Sequence, residues 1–405
     1  MLLKLIYFLL TFAISFGGTI RFGGITPRQA MAVIMFIICI INYNIIKPYF
    51  RSYLPLYLSY LCLAFLSACV DGFAANFTKN LISQHFVAMV CCASMFVYYK
   101  KEGNFKVIIN GLLLCGIINA IVCLLQYVGN PLGVGIGYLF IGEDDLQANR
   151  HMEQLIDGTG SGYLLGMRSD AVHNGYFMMI MPFLLIQFFK QLNNSNHKLI
   201  KGILLLTSMI LLFAVILLIQ ERSCILISAL VFMLYLWRSY KAGSKAKKLQ
   251  FVLVSFVAIC LLLYLVLPSF LEYISESRFS TSDGGVRKLL LRGCIEFIPS
   301  NLLLGGWQSF IAKYDFPPHN LFLNACVEAG LFGFVIASVL YIKQIRIALT
   351  IPHNNNNCSI CLAFLAYTLN SQLHNDSILT GDAIVWLLWG MVLSIYKEYE
   401  YQCAR

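Results

Sequence analysis

Four arginines lie in polar segments that interrupt long apolar runs: Arg168, Arg222, Arg287 and Arg292. A guanidinium group presents a planar fork of N–H donors, which matches two oxygens of one phosphate. Several such groups on one face would suit the pyrophosphate of a lipid carrier. A structural alternative stays open for Arg222, because an arginine at the mouth of a membrane helix can simply extend to the lipid headgroups.

His319 follows two prolines, Pro317 and Pro318, and precedes Asn320. Asn320 opens a long apolar run. A proline pair fixes an extended approach to a helix, and Asn is a common first residue of one. The sequence therefore predicts His319 at a helix N-terminus, where a nearby anion is stabilised. Because an imidazole ordinarily titrates near neutral pH, His319 could orient or deprotonate a hydroxyl, or contact the anion itself.

The elements that must position these residues are membrane helices. Of the 405 residues, 59% are hydrophobic and only 12% are charged, and the mean hydropathy is +0.75. Backbone groups inside a bilayer must bond within a helix or a closed barrel. Barrel strands alternate polar and apolar residues, whereas the segment 252–267 is apolar on every face. The composition thus predicts an all-α, polytopic integral membrane protein.

The apolar runs predict about twelve transmembrane helices, since each crossing needs roughly 20 apolar residues. The polar residues Glu221, Arg222 and Ser223 divide one stretch that is too long for a single crossing. We treat 1–405 as a single membrane domain whose first helix is retained. The predicted helices are 2–18, 29–46, 53–70, 81–99, 107–128, 174–189, 200–219, 223–237, 251–268, 321–342, 358–374 and 379–396.

Charge predicts the orientation of these helices, because Lys and Arg concentrate in cytoplasmic loops. Alternate loops carry most of the lysines, so we expect those loops and both termini in the cytoplasm. The two long loops, 129–173 and 269–320, then face outside and carry short helices. Arg168, Arg222 and Arg287 lie on that outer side, against the usual charge trend.

The net charge and the cysteines do not indicate other classes of protein. The formal net charge is +10, from 29 basic and 19 acidic residues, but no basic stripe with interleaved aromatics suits a nucleic acid. Nearly all of the 14 cysteines lie within apolar runs, which indicates small core residues rather than disulfides or metal ligands.

Four short motifs follow one another along the chain: Arg168 to His173-Asn174, Gln220-Glu221-Arg222-Ser223, Gly285-Val286-Arg287 with Leu304-Gly305-Gly306, and Pro318-His319-Asn320 running to Glu328-Ala329-Gly330 and Gly333. Their order resembles the O-antigen ligase and O-antigen polymerase superfamily, integral-membrane glycosyltransferases of the bacterial inner membrane. The resemblance covers roughly residues 150–345, and the flanks match only as apolar helices.

The resemblance implies transfer of a glycan from an undecaprenyl-pyrophosphate carrier to an acceptor hydroxyl at the periplasmic face, without a metal or other cofactor. It implies catalytic roles for Arg222 and Arg287, which would grip the pyrophosphate, and for His319. Further residues would shape the substrate site or support His319: Arg168, Asn174, Arg292, Asn320 and Glu328. Arg292 is also the alternative match for Arg287.

Three functions remain open at this level. A polymerase joins lipid-linked repeat units, with a chain-length regulator as a possible partner, and two outer loops of similar length favour it. A ligase would move the finished glycan to the lipid A core. A lipid-linked oligosaccharide flippase is the alternative of another class, but such transporters usually carry mid-membrane ionisable residues and two related halves.

Overall fold

A computed structural model describes residues 1–16, 25–51, 53–72, 75, 78, 84–140, 153, 164–168, 171–192, 198–219, 222–242, 283–353, 355–374 and 383–403. Within these ranges the chain forms fifteen α-helices and one 3-10 helix, and none of the described residues forms a β-strand. The predicted all-α class is therefore confirmed for this part of the chain.

The helices follow one another with short connections in most places. In chain order they are α1 (Leu2–Phe16), α2 (Pro27–Ile41), α3 (Tyr43–Phe50), α4 (Leu54–Val70), α5 (Phe86–Glu102), α6 (Lys106–Tyr127), α7 (Pro131–Tyr138), α8 (Ala171–Gln191), α9 (Lys198–Leu218), α10 (Arg222–Ala242), α11 (Asp283–Phe297), α12 (Trp307–Tyr314), α13 (Leu321–Thr350), α14 (Cys358–His374) and α15 (Ala383–Cys403). The 3-10 helix is Pro299–Asn301.

Most predicted helices coincide with observed ones, but the prediction of one helix over 29–46 was wrong. At Asn42 the backbone leaves helical geometry, with φ −111° and ψ 29°. Its side-chain amide donates a 2.7 Å hydrogen bond to the Ile38 carbonyl, so a polar side chain ends α2 and α3 begins beside it. The predicted helix 251–268 lies outside the described residues.

In the part of the chain that the structure describes, three helices are long and apolar enough to cross a membrane: α6, the part Ser223–Lys241 of α10, and α13. Shorter apolar stretches of 10 to 17 residues occupy α1, α2, α4, Leu204–Leu218 in α9 and Cys358–Ser371 in α14. Large apolar side chains on the outside, such as Ile37, Ile210 and Leu226, are more than half exposed. A lipid environment suits such a surface, because water disfavours extended apolar patches.

The centre of the bundle is formed by α5, α8, α14 and α15, whose apolar side chains are almost fully buried. Met95, Phe183, Phe364 and Trp389 are each at most 1% exposed. Gly390 allows α15 to approach α5 closely, because a Cβ at this position would clash with the Cys92 carbonyl. The remaining long helices surround this centre.

One end of the bundle gathers several basic residues. Lys4 at the start of α1 pairs with Glu102 at the end of α5, at 2.9 Å. Arg238 near the end of α10 donates to two carbonyls: that of Leu349, in the last turn of α13, and that of Ile351, just after the helix. We call this the basic end. The loops that meet there belong to the set predicted to be cytoplasmic.

The connections at the opposite end are bonded to the helices. Asp71, just after α4, accepts hydrogen bonds from the backbone N–H and the hydroxyl of Ser309 in α12. Arg168, in the connection before α8, donates to the Ser15 carbonyl in α1 at 2.7 Å. The second long connection and the segment before α8 are thus held to the bundle by polar side chains.

Candidate functional site

Helix α13 is interrupted one quarter of the way along its length. Ala329 (φ −143°) and Gly330 (φ +66°) have non-helical backbone geometry, so α13 consists of a short first segment, 321–328, and a long second segment. An interruption frees backbone N–H and C=O groups from their i to i+4 bonds, and each freed group needs another partner.

The segment 302–306 supplies those partners. The Gly306 N–H donates to the Val327 carbonyl at 2.7 Å, and the Leu331 N–H donates to the Leu302 carbonyl at 2.8 Å. Two backbones in such close contact leave no room for side chains. A Cβ at Gly305 would clash with the Val327 carbonyl, and one at Gly330 would clash with the Leu303 carbonyl.

Glycine is also required here by backbone conformation, since Gly305 has φ +76° and Gly330 has φ +66°. The two glycine motifs that the sequence singled out, 304–306 and 328–330, therefore meet in space. They form one joint between the second long connection and α13.

A small apolar cluster holds the rest of this connection against the first segment of α13. Leu290 and Cys294 of α11 and Phe310 of α12 are fully or almost fully buried, and they pack with Phe297 and Val327. This cluster is separate from the main core. The cluster fixes α11 beside the start of α13. Arg287 lies on α11, one turn before Leu290.

His319 and Asn320 begin α13 at this same place. The Asn320 side-chain oxygen accepts hydrogen bonds from the backbone N–H groups of Phe322 (3.0 Å) and Leu323 (3.3 Å), which caps the helix. His319 has φ +51°, and among the described residues only Asp315 is another non-glycine residue with positive φ. The predicted position of His319 at a helix start is confirmed.

The left-handed backbone of His319 costs about 1 kcal/mol relative to ordinary helical geometry, so the surrounding chain must impose it. Pro318 before it is buried, and the cap at Asn320 fixes the residue after it. His319 itself is only partly buried. The imidazole is thus held at an accessible helix N-terminus by its two neighbours.

Glu328 ends the first segment of α13 and lies against α4. The Tyr60 hydroxyl donates a 2.8 Å hydrogen bond to its Oε2. Asn324, one turn before Glu328, is 3% exposed, and its side-chain oxygen has no hydrogen-bond partner. Residues four apart share one helix face, so Asn320, Asn324 and Glu328 form a polar stripe that runs inward from the helix start.

A second polar pair lies next to this stripe. Tyr57, one turn before Tyr60 on α4, contacts the His85 Nδ1 at 2.9 Å, and its ring packs edge-on against Trp386 at 4.9 Å. Tyr57 and Tyr60 are each at most 1% exposed. Tyrosine, carboxylate and imidazole groups are therefore concentrated between α4, α5 and α13.

Asn174 has a different environment from the one predicted. Its side chain is 0% exposed; it accepts from the Asn119 amide at 2.7 Å and donates to the Leu164 carbonyl at 2.7 Å. Asn119 also accepts from the Met167 N–H at 2.8 Å. These contacts give Asn174 the role of holding the segment 164–168, and its contact with a glycan stays a prediction.

Gln126, two turns beyond Asn119 on α6, completes this attachment. It exchanges two hydrogen bonds with Gly166, accepting from the N–H at 2.8 Å and donating to the carbonyl at 3.0 Å. Arg168 then reaches the Ser15 carbonyl and lies over the Phe177 ring at 5.5 Å. Its guanidinium therefore already makes a hydrogen bond and a ring contact within the bundle.

The remaining arginines that were predicted to bind substrate lie on α10 and α11. Arg292 on α11 is 81% exposed and pairs with Glu296 at 3.1 Å. Arg222 is the first residue of α10 and Arg287 lies in the second turn of α11, but their side chains lie outside the described part. A meeting of Arg222 or Arg287 with His319 stays a prediction.

Sequence reasoning missed the amide and tyrosine partners of this site. The available signal was spacing along a helix: Asn119 and Gln126 are seven residues apart on α6, and Tyr57 and Tyr60 are three apart on α4, so each pair shares one helix face. In the described ranges, no group of three or more His, Cys, Asp or Glu residues is arranged to hold a metal ion.

The site and fold define a helical protein with apolar helices suited to a membrane and a joint of two glycine motifs at one end. Comparison with known proteins adds no family: no family model matches the chain, and no curated protein matches it.

Proposed function

We propose that this protein is a polysaccharide polymerase of the bacterial inner membrane, which joins undecaprenyl-pyrophosphate-linked repeat units at the periplasmic face. About twelve transmembrane helices would place both termini in the cytoplasm. The observation that carries the proposal is the joint between 302–306 and the break in α13. The same helix starts immediately after His319 and Asn320. Motifs distant in sequence are brought to one end, as a shared active site requires.

In the proposed reaction, a sugar hydroxyl of one repeat unit attacks the anomeric carbon of another. The new bond joins that oxygen to the anomeric carbon, and the bond from this carbon to the pyrophosphate oxygen breaks. His319 orients the hydroxyl or accepts its proton, and undecaprenyl pyrophosphate leaves with the bonding electrons. Arg222 and Arg287 stabilise the negative charge that develops on the leaving pyrophosphate.

The strained backbone of His319 supports a functional role for this residue. A non-glycine residue in left-handed geometry is uncommon, and such residues cluster at functional sites. The polar stripe of Asn320, Asn324 and Glu328 continues inward from it and offers donors and acceptors for a hydroxyl-rich substrate.

A polymerase holds two lipid-linked substrates, whereas a ligase holds one together with lipid A core. The two long predicted outer loops, 129–173 and 269–320, are similar in length, and each carries an arginine candidate. Two predicted outer loops of similar length, each with an arginine candidate, favour the polymerase.

The test is an assay with purified protein and a synthetic undecaprenyl-pyrophosphate-linked repeat unit, followed by gel separation of the products. A ladder of chain lengths without core acceptor is the expected result. Transfer only when lipid A core is supplied would replace the polymerase with a ligase. Movement of the intact donor across vesicles, without transfer, would replace both with a flippase.

A further inference from the structure

The basic end contains a cluster of cationic side chains that the proposed transferase chemistry does not use. Lys190, at the end of α8, has its ammonium 5.9 Å from the ring centroid of Tyr235 in α10. The Tyr235 ring lies 5.3 Å from the ring of His353, in the connection between α13 and α14. Three separate elements thus bring Lys190 and His353 close to one tyrosine ring.

Arg238 completes the cluster one turn beyond Tyr235. It donates to the Ile351 carbonyl at 3.2 Å and to the Leu349 carbonyl, so its charge is fixed at the carboxyl end of α13. The neighbouring Ser239 hydroxyl contacts the His353 Nε2 at 3.0 Å. Burial lowers the pKa of His353, and the positive charges of Lys190 and Arg238 lower it further.

No acidic residue in the local sequence balances these charges. In the sequence, the stretches around Lys190, Arg238 and His353, which are residues 187–201, 235–250 and 343–358, contain no Asp or Glu. Basic loops are common at one side of membrane proteins, where their lysines usually extend into water. Lys190 and His353 are instead partly buried between helices. The ten basic residues of the segments are Lys190, Lys198, Lys201, Arg238, Lys241, Lys245, Lys247, Lys248, Lys343 and Arg346.

Two polar groups in the same place lack hydrogen-bond partners. Gln187, one turn before Lys190, is 1% exposed; its amide donates to Asn357 at 3.2 Å, but its Oε1 has no partner. The His353 Nδ1 is also buried without a partner. A buried polar atom without a partner is costly. The Gln187 Oε1 is an acceptor, which an anion cannot satisfy, so it does not bear on an anion site. When the His353 Nε2 accepts from the Ser239 hydroxyl, the Nδ1 carries the ring proton and can donate to an anion.

We infer that the cluster of Lys190, Arg238 and His353, at the ends of α8 and α10 and in the connection between α13 and α14, binds a phosphate-bearing anion. Lys190 and the His353 Nδ1 donate to the phosphate oxygens, and Arg238 supplies positive potential from its fixed position. Charge-assisted hydrogen bonds of this kind are strong when partly buried. The phosphate can come from an anionic phospholipid headgroup or from a soluble phosphate compound. This site lies at the end of the bundle opposite His319 and does not rest on the proposed function.

The test uses the full-length protein in detergent, titrated separately with phosphatidylglycerol, phosphatidylcholine and inorganic phosphate. Native mass spectrometry counts bound lipid, and thermal unfolding reports stabilisation by either ligand. The variants are Lys190→Gln and the double variant Lys190→Gln with His353→Gln. Lys397→Gln is the matched control, because it removes the same charge at the same end, from a residue paired with Glu400 at 2.7 Å.

Wild-type protein should bind phosphatidylglycerol or inorganic phosphate in preference to phosphatidylcholine, and Lys190→Gln should weaken that binding by about tenfold. Lys397→Gln should bind as the wild type does. Stabilisation by phosphatidylglycerol alone identifies a lipid headgroup, and stabilisation by inorganic phosphate identifies a soluble ligand. Equal binding by wild type and Lys190→Gln, or an equal loss in Lys397→Gln, would overturn the inference.

Discussion

The Tyr60 hydroxyl donates a 2.8 Å hydrogen bond to the Glu328 carboxylate, which joins residues 268 positions apart in the chain. The bond ties α4 to α13 directly before the break at Ala329 and Gly330. Farther along, Asp71 after the same helix accepts from Ser309 in α12. α4 therefore fixes both the interrupted helix and the connection that docks into the interruption.

Replacing Tyr60 by Phe should lower the free energy of unfolding by about 1 to 3 kcal/mol, because it leaves a partly buried carboxylate without its donor. It should also reduce glycan transfer, since Glu328 lies on the stripe that begins at His319. Thermal unfolding and the ladder assay measure the two effects.

Tyr7→Phe is the matched control for that change. The Tyr7 hydroxyl is buried and donates to the Ser94 carbonyl at 2.7 Å, far from the proposed site. It should lose similar stability but keep full activity. Equal activity in both variants would remove Tyr60 and its bond from the proposed site.

Gly330→Ala should destabilise the protein by about 3 kcal/mol, because the new methyl group meets the Leu303 carbonyl in a backbone geometry that L-residues avoid. Gly129 has the same φ, +66°, but open space around it. Gly129→Ala should therefore cost only the conformational term, about 1 kcal/mol. Equal melting temperatures for the two variants would show that the docking of 302–306 into α13 adds nothing to stability.

His319→Asn should lower the rate of glycan transfer roughly 100-fold or more, while leaving the free energy of unfolding unchanged. Asn tolerates left-handed geometry better than most residues, so the substitution removes the imidazole and keeps the backbone. His319→Val should lose activity and also about 1 to 2 kcal/mol of stability, because a β-branched residue resists φ +51°. Full activity of a folded His319→Asn protein would exclude a chemical role for the imidazole.

Asn119→Ala and Gln126→Ala should each loosen a different amide of the segment 164–168. Asn119 accepts from Met167 and Gln126 accepts from Gly166. Hydrogen exchange should therefore quicken at Met167 in the first variant and at Gly166 in the second, since each amide loses its acceptor. Unchanged exchange in both variants would show that these amides are protected by other means.

The sequence alone determined the class of elements and most of their bounds. An apolar run of sufficient length is a local property, and Pro or Asn signals mark its start, as at Pro318 and Asn320 before α13. The same local logic failed at Asn42, where a single polar side chain between apolar residues ends a helix by bonding to Ile38.

Only the tertiary structure decided how the candidate site is built. The break in α13 is possible because 302–306 supplies the missing backbone bonds, and Ala329 and Gly330 alone do not reveal that partner. Likewise, Asn174 carries the right chemistry for a glycan, yet its amide is occupied by Asn119 and Leu164. Which polar groups meet depends on the packing of distant helices, and this packing is a property of the whole bundle rather than of any one segment.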